Sequence, residues 1–88
     1  MSQASIRIYG TWWCWDCRRA KKILNEYHIA YRWIDIDKDA NAKKFVGSVN
    51  NGKFVVPTII FDDGSILSEP SNSELKNRIE QEIKSRDV

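Results

Sequence analysis

The stretch that decides the fold is residues 5–17, which read Ser-Ile-Arg-Ile-Tyr-Gly-Thr-Trp-Trp-Cys-Trp-Asp-Cys. Residues 5–9 alternate polar and apolar side chains and are followed by Gly10, which predicts a β-strand with one better-covered face. An apolar stripe at helical spacing starts at Cys17 and predicts a helix over about residues 14–27. Its other members are Ala20, Ile23, Leu24 and Tyr27. Two cysteines therefore lie where the first strand gives way to the first helix.

The middle of the chain predicts a second strand and a second helix. Residues 31–36 are aromatic and β-branched, which favours a strand. The intervening helix makes this strand parallel to the first, with a right-handed crossover. Asp39 can cap a short helix over Ala40–Val49, and the Asn-Asn-Gly sequence that follows ends it.

The last third of the chain predicts a hairpin and a terminal helix. Residues 54–61, interrupted by Pro57, and residues 65–67 flank the turn sequence Asp-Asp-Gly, which is typical of an antiparallel strand pair. A Ser-Asn-Ser-Glu capping box at residues 71–74 begins a helix with apolar residues at four-residue spacing. The prediction is one α/β domain over residues 1–88, in the order βαβαββα, with a four-stranded mixed sheet flanked by helices.

Length, composition and charge exclude several classes of function. The chain has 88 residues, of which 42% are hydrophobic and 30% charged, so it should form one globular core with little room for an enclosed cavity. The net charge is +2 with both signs spread along the chain, which argues against nucleic acid as a partner. No apolar run is long enough to span a membrane, and residues 1–10 lack a secretory signal pattern, so a cytoplasmic protein is expected.

The two cysteines form a C-x-x-C motif, which in a short chain without a secretory pattern indicates redox or metal chemistry. Cys14 would lie at the helix N-terminus, where free N–H groups and the helix dipole favour a thiolate, with Arg18 and Arg19 nearby. We therefore predict that Cys14 is the exposed nucleophile. Cys17 starts the apolar stripe, and an apolar site raises the pKa of a thiol, so it should be the buried resolving cysteine. A non-helical backbone at Cys14 would let the pair form a disulfide.

Other uses of the cysteine pair fit the chain less well. A structural zinc site usually needs four nitrogen or sulfur ligands, whereas the chain offers only Cys14, Cys17 and His28. A phosphatase-like loop would need an arginine six positions after the nucleophile, where this chain has Ala20. A static structural disulfide is a further alternative. Redox chemistry without a bound metal is the favoured interpretation.

A second motif, Val56-Pro57-Thr58, opens a predicted strand far from the cysteines. Together the two motifs resemble those of the thioredoxin superfamily, and the element order is similar to its glutaredoxin branch, including the mycoredoxins, over about residues 5–83. The resemblance implies a thioredoxin-like fold and a dithiol-disulfide oxidoreductase. It also implies that Pro57 is a cis-proline facing the cysteines and that Val56 offers its backbone to an extended substrate.

The resemblance extends to partners and electron donors. It implies a monomer without a bound cofactor that reduces disulfide-containing proteins or mixed disulfides of low-molecular-weight thiols. The donor would be an external thiol, such as glutathione or mycothiol, or a flavoprotein reductase. A rival from another class is a binding module in which Cys14 ligates an iron–sulfur cluster across a dimer, with an external thiol completing the site.

The sequence departs from familiar members of this branch near the motif. The middle pair Trp15-Asp16 contains no proline, and the negative charge of Asp16 opposes the neighbouring positive charges. This balance predicts a reduction potential of roughly −270 to −200 mV. The chain lacks the lysine that usually precedes the first cysteine and the Gly-Gly turn before the last helix, which argues against glutathione as the thiol.

Three tryptophans surround the first cysteine. Trp12, Trp13 and Trp15 cannot all pack against the same sheet, so at least one should be exposed as an apolar platform for a substrate. Trp13 directly precedes the motif, a feature shared with thioredoxins and mycoredoxins. Trp13 and Trp15 are the predicted substrate contacts, together with Val56 and Pro57.

Overall fold

The computed structural model describes residues 5–86, so the parts of the domain and signal predictions that fall on residues 1–4 and 87–88 lie outside the described residues. Within this range the elements follow the predicted order. They are β1 Arg7–Gly10, α1 Trp15–Glu26, β2 Arg32–Asp35, α2 Ala40–Val49, β3 Thr58–Ile60, β4 Ile66–Ser68 and α3 Asn72–Arg86.

One four-stranded sheet joins the strands in the order β2-β1-β3-β4. β1 pairs in parallel with β2, with Arg7 opposite Arg32, and antiparallel with β3, with Tyr9 opposite Thr58. β4 pairs antiparallel with β3 across a turn in which Gly64 has φ 86°. The predicted α/β fold with a mixed sheet is therefore confirmed.

A helical layer covers each face of the sheet, because neighbouring strand residues point to opposite sides. One buried cluster joins β1 and β3 to α1 and α3 and contains Ile6, Ile8, Ala20, Ile23, Leu24, Ile29, Ile59, Phe61, Leu75 and Ile79. A smaller cluster joins the other face to α2 and contains Tyr9, Ile36, Ala42, Val46 and Ile60. Each fully buried Ile or Leu contributes roughly 1.5–3 kcal/mol, so the first cluster fixes α1 and α3 against one face of the sheet and the second fixes α2 against the other.

Side-chain caps determine where α2 and α3 begin. Asp39 has an extended backbone, with φ −132°, and its Oδ1 accepts a hydrogen bond from the Ala42 N–H at 3.0 Å. Before α3, the Ser71 N–H donates to Glu74 Oε1 at 2.9 Å, and the Glu74 N–H donates to Ser71 Oγ at 3.1 Å. The backbone N–H of Ser71, and after it the Ser71 side chain, lower the pKa of Glu74 because their hydrogen bonds favour its carboxylate. Both predicted caps are confirmed.

The third strand is much shorter than the sequence predicts. The prediction over residues 54–61 is wrong at its beginning, since β3 covers only Thr58–Ile60. Pro57 has no N–H for the strand ladder, and Phe54 lies outside the sheet with 55% of its surface exposed. Residues 50–57, which connect α2 to β3, are therefore irregular backbone.

Candidate active site

β1 ends at Gly10, directly against the cysteine pair. A Cβ atom on Gly10 would lie 2.5 Å from Cys17 Sγ and 2.7 Å from Cη2 of Trp33. Real Cβ atoms essentially never come closer than 3.0 Å to such neighbours, so only glycine lets β1 pass this close to the sulfur. Sequence reasoning treated Gly10 as the end of a strand and missed this role, because the close approach depends on the packing of α1 and β2.

Cys14 is the N-cap of α1. Its backbone is extended, with φ −84° and ψ 118°, and its Sγ accepts a hydrogen bond from the Cys17 N–H at 3.3 Å. The sulfur thus takes the position in which Ser, Thr, Asp or Asn usually caps a helix. The helix begins at Trp15 rather than at Cys14, and the predicted non-helical backbone at Cys14 is confirmed.

The prediction that Cys14 is exposed is wrong, since only 8% of its surface is accessible. The capping hydrogen bond is the physical reason, because it turns the sulfur inward against the first turn of α1. Cys17 is fully buried, as predicted, so Cys14 is still the more accessible of the two free cysteines.

Burial raises the pKa of Cys17 from 9.0 to about 12, and its hydrogen bond with the Cys14 side chain acts in the same direction. The backbone N–H of Thr11 and the positive charge of Lys21 act against this rise. Cys17 is therefore protonated at neutral pH, in agreement with the sequence-based expectation of a raised pKa.

Thr11 is a site residue that the sequence analysis missed. Its carbonyl oxygen accepts the Cys14 N–H at 3.3 Å, while its own N–H bonds with Cys17, so its backbone contacts both cysteines. The side chain is buried, and Oγ1 forms no hydrogen bond within residues 5–86. A small polar residue between the strand and the tryptophans was the available signal, but its backbone role has no sequence signature.

Three charged residues in the first turns of α1, Asp16, Arg18 and Arg19, contact neighbouring side chains. Arg19 forms an ion pair with Asp16 in the first turn, and the guanidinium of Arg18 lies over the Trp15 ring, 5.1 Å from its centroid. The Asp16 charge that the sequence analysis sets against the arginines is thus offset locally by Arg19. As an acidic residue in the first turn, Asp16 also interacts favourably with the helix dipole.

All three tryptophans around the motif are exposed, which confirms that at least one would be. The exposed fractions are 64% for Trp12, 56% for Trp13 and 78% for Trp15. Trp13 is oriented by a hydrogen bond from its Nε1 to Oδ2 of Asp37 at 3.1 Å. The segment that carries Cys14 therefore exposes apolar surface on both sides of that residue in the chain, at Trp13 and at Trp15.

The Val56–Pro57 peptide bond is cis, as the resemblance implies. Since Tyr9 on β1 pairs antiparallel with Thr58 on β3, the residues before Thr58 and after Tyr9 leave the sheet at the same end. The structure thus brings Val56 and Pro57 to the end of the sheet at which β1 leads into residues 11–14. Pro57 is buried and its carbonyl accepts the Glu69 N–H at 2.8 Å, while Val56 is half-buried.

Residues 5–86 contain neither a metal-ligand cluster nor a membrane-crossing helix. No group of three or more His, Cys, Asp or Glu side chains in this part of the chain is arranged to hold a metal ion. In the same range, none of the helices combines the length and the apolarity that crossing a membrane requires.

One known family matches most of this chain. The family model described as glutaredoxin matches residues 6–66, a span that includes both cysteines and the cis-proline. The chain belongs to the glutaredoxin family. Membership in this family implies thiol-disulfide oxidoreductase activity, which the closely placed Cys14 and Cys17 fit.

Relatives and solved structures support the same assignment. The chain is 46% identical over 79 residues to the Mycobacterium tuberculosis protein named "Putative glutaredoxin Rv3198A", covering 90% of this chain and 94% of that protein. It is 38% identical over 77 residues to mycoredoxin 1 of Corynebacterium glutamicum, covering 88% and 95%. The crystal structure of a glutaredoxin from Archaeoglobus fulgidus aligns with a TM-score of 0.69 and 26% identity, covering 89% of this chain and 88% of that one. The thioredoxin-like protein BC3987 aligns with a TM-score of 0.73 and 25% identity, covering 83% and 97%, which confirms the thioredoxin-like fold.

Proposed function

We propose that this glutaredoxin-family protein is a dithiol-disulfide oxidoreductase in which Cys14 attacks the substrate and Cys17 resolves the intermediate. The observation that carries the proposal is the hydrogen bond from the Cys17 N–H to Cys14 Sγ at the N-cap of α1. A backbone donor and the positive end of the helix stabilise a thiolate at this position, and the thiolate is the form that attacks a disulfide. Cys17, being buried, keeps its proton at neutral pH.

The reaction transfers two electrons from the cysteine pair to a disulfide. The Cys14 thiolate attacks one substrate sulfur, forms a mixed disulfide and expels the other sulfur as a thiolate, which takes a proton from solvent. Cys17 then gives its proton to solvent and attacks Sγ of Cys14. The bond between Cys14 and the substrate breaks, and the second substrate sulfur leaves as a thiolate that takes up a proton from solvent. The protein ends with a Cys14–Cys17 disulfide and the substrate as two thiols.

Formation of the mixed disulfide removes part of what holds the proton on Cys17. Burial is the largest cause of its raised pKa, and the hydrogen bond and negative charge of Cys14 add to it. A Cys14 sulfur joined to the substrate carries no negative charge, whereas the Thr11 N–H and Lys21 continue to favour a Cys17 thiolate. Cys17 is therefore easier to deprotonate after the mixed disulfide forms than before it. This makes attack by Cys14 the first step and attack by Cys17 the second.

Four residues are the proposed substrate contacts: Trp13, Trp15, Val56 and Pro57. Trp13 and Trp15 offer exposed apolar surface, and the backbone of Val56, next to the cis Pro57, would pair with an extended chain. Disulfide-containing proteins and mixed disulfides of low-molecular-weight thiols are the proposed substrates. The missing lysine before Cys14 and the missing Gly-Gly turn before α3 argue against glutathione, and the similarity to a protein named mycoredoxin 1 suits a mycothiol-type thiol.

Recycling of the oxidised pair is assigned to a partner rather than to a bound cofactor. An external low-molecular-weight thiol or a flavoprotein reductase would supply the two electrons, since disulfide exchange itself needs only another thiol pair. A reducing compartment such as the cytoplasm suits this cycle, because the cysteine pair must be returned to its dithiol form. The proposed acting form is a monomer.

Removal of one sulfur at a time tests the proposal. Cys14→Ser should abolish reduction of both a protein disulfide and a small-thiol mixed disulfide, because a serine hydroxyl stays protonated near neutral pH. Cys17→Ser should accumulate a mixed disulfide with the protein substrate, visible on non-reducing electrophoresis, and keep some turnover of the small mixed disulfide, which a second small thiol can release. Undiminished protein-disulfide reduction by Cys17→Ser would contradict the dithiol mechanism.

A further inference from the structure

A basic groove runs along α1 and begins directly after the cysteine pair. It has a volume of about 540 Å³ and is lined by Arg18, Lys21, Lys22, Asn25, Glu26 and Tyr31. The first four lie on one face of α1, because helical side chains three and four residues apart are neighbours. We call this surface the α1 groove.

The α1 groove carries three cations and one carboxylate. Arg18 lies over the ring of the exposed Trp15, and the Nζ of Lys21 lies 3.9 Å from the centroid of a second indole ring. Neither these two side chains nor Lys22 forms an ion pair with a carboxylate in the described part of the chain. Glu26 lies near the opposite end of α1 from the cysteines. The end of the groove near the cysteines therefore presents cations that form no ion pair within residues 5–86.

We propose that the α1 groove binds an acidic peptide segment that flanks the disulfide of a substrate protein, an inference that rests on the proposed oxidoreductase function. Because Arg18 both lines the groove and contacts Trp15, a chain lying in the groove continues onto the apolar surface beside Cys14. Its carboxylates pair with the three cations, whereas a basic segment is repelled. The net charge of the whole chain is only +2, so the positive field is local and suits a short acidic segment better than a nucleic acid.

Three synthetic peptides test this preference. They contain the same intramolecular disulfide loop and differ only in a flanking run of Glu, Gln or Lys residues, placed several residues away from the disulfide. Fully reduced protein, freed of reductant, is mixed with each peptide, and the single-turnover rate is followed by tryptophan fluorescence. Reduction of the same peptides by dithiothreitol corrects for their intrinsic reactivity. At low salt we expect the Glu peptide to react roughly 5- to 20-fold faster than the Gln peptide and the Lys peptide to react more slowly, with differences that shrink at high salt.

Matched variants locate the effect. Lys22→Gln should lower the ratio between the Glu and Gln peptide rates, since it removes one exposed cation of the α1 groove without contact to Trp15. Arg18→Gln should lower the same ratio. Lys44→Gln removes an exposed lysine from α2, on the opposite face of the sheet, and should keep the wild-type ratio.

Each outcome of the peptide experiment decides the inference. Equal corrected rates for the three peptides would overturn the acidic-segment inference and leave the oxidoreductase function in place. Reduction of none of the peptides would contradict the oxidoreductase function itself, and this inference with it. Stronger inhibition of the Glu peptide reaction by a short single-stranded DNA than by a cysteine-free Glu peptide would assign the α1 groove to nucleic acid instead. A rate order of Glu, Gln, Lys that weakens in Lys22→Gln but not in Lys44→Gln supports it.

Discussion

Replacement of Gly10 by alanine tests how closely β1 approaches the cysteine pair. The added Cβ would lie 2.5 Å from Cys17 Sγ and 2.7 Å from the Trp33 ring, so both groups must retreat by roughly 1 Å to reach ordinary contact. Overpacking of this kind typically costs about 1–3 kcal/mol, and contact with two separate elements places Gly10→Ala in the upper half of that range. For a domain of this size, a loss of 2–3 kcal/mol lowers Tm by roughly 10–20 °C.

Urea unfolding of the reduced protein, followed by circular dichroism, measures this loss. Gly47→Ala is the matched control, since Gly47 is also buried but the three heavy atoms nearest to a Cβ there all belong to the Phe54 ring, the first at 3.0 Å. That ring is exposed and can move, and alanine favours a helix over glycine by roughly 0.5–1 kcal/mol. Gly47→Ala should therefore leave the free energy of unfolding unchanged or raise it.

A double-mutant cycle assigns the cost to the Cys17 sulfur. In a Cys17→Ala background the contact between the added Cβ and Cys17 Sγ is gone. Gly10→Ala should therefore lower the free energy of unfolding by at least about 1 kcal/mol less than it does in the wild-type background. An equal cost in both backgrounds, or a loss below about 0.5 kcal/mol in the wild-type background, would refute the close approach of β1 to Cys17.

The pKa of Cys17, raised by burial from 9.0 to about 12, predicts how stability depends on pH. The folded state favours the protonated thiol, so the contribution of Cys17 to stability is complete below pH 9 and is lost as pH rises toward 12. Over this range the free energy of unfolding of the reduced protein should fall by up to about 1.4 kcal/mol per pH unit more than that of Cys17→Ala. Asp39→Ala should destabilise the protein by about 1 kcal/mol in urea, while Asp39→Asn keeps most of the cap. Asp16→Asn should shift the reduction potential by about 20 mV or less in thiol-buffer equilibration, because Arg19 already offsets the Asp16 charge.

Local patterns were sufficient to predict most of the fold. The apolar stripe of α1, the Asp39 cap and the capping box before α3 are signals contained within a few residues, and all three match the structure. The strand predicted over residues 54–61 was overextended because β-branched residues on both sides of Pro57 look alike in sequence. Only the pairing partner of each residue separates Thr58–Ile60 from the irregular segment before it.

The C-x-x-C motif predicted where the cysteines lie but only part of their environment. The burial of Cys17 follows from its place on the apolar stripe, so it could be anticipated. The burial of Cys14 could not, because it depends on a sulfur-to-backbone hydrogen bond whose geometry appears only in three dimensions. The same limit applies to Gly10 and Thr11, whose roles arise from contacts with residues on other elements or from backbone bonds that any side chain would allow.

The order in which the two cysteines are alkylated is the most direct test of their division of roles. The reduced protein is treated with a limiting amount of iodoacetamide at neutral pH, and the labelled peptide is identified by mass spectrometry, with fully unfolded protein as the reference for equal reactivity. The account predicts that Cys14 is labelled first, because its sulfur is the more accessible and caps α1, while Cys17 is fully buried and protonated. Labelling of Cys17 first, or of both cysteines at the same rate in the folded protein, would contradict it.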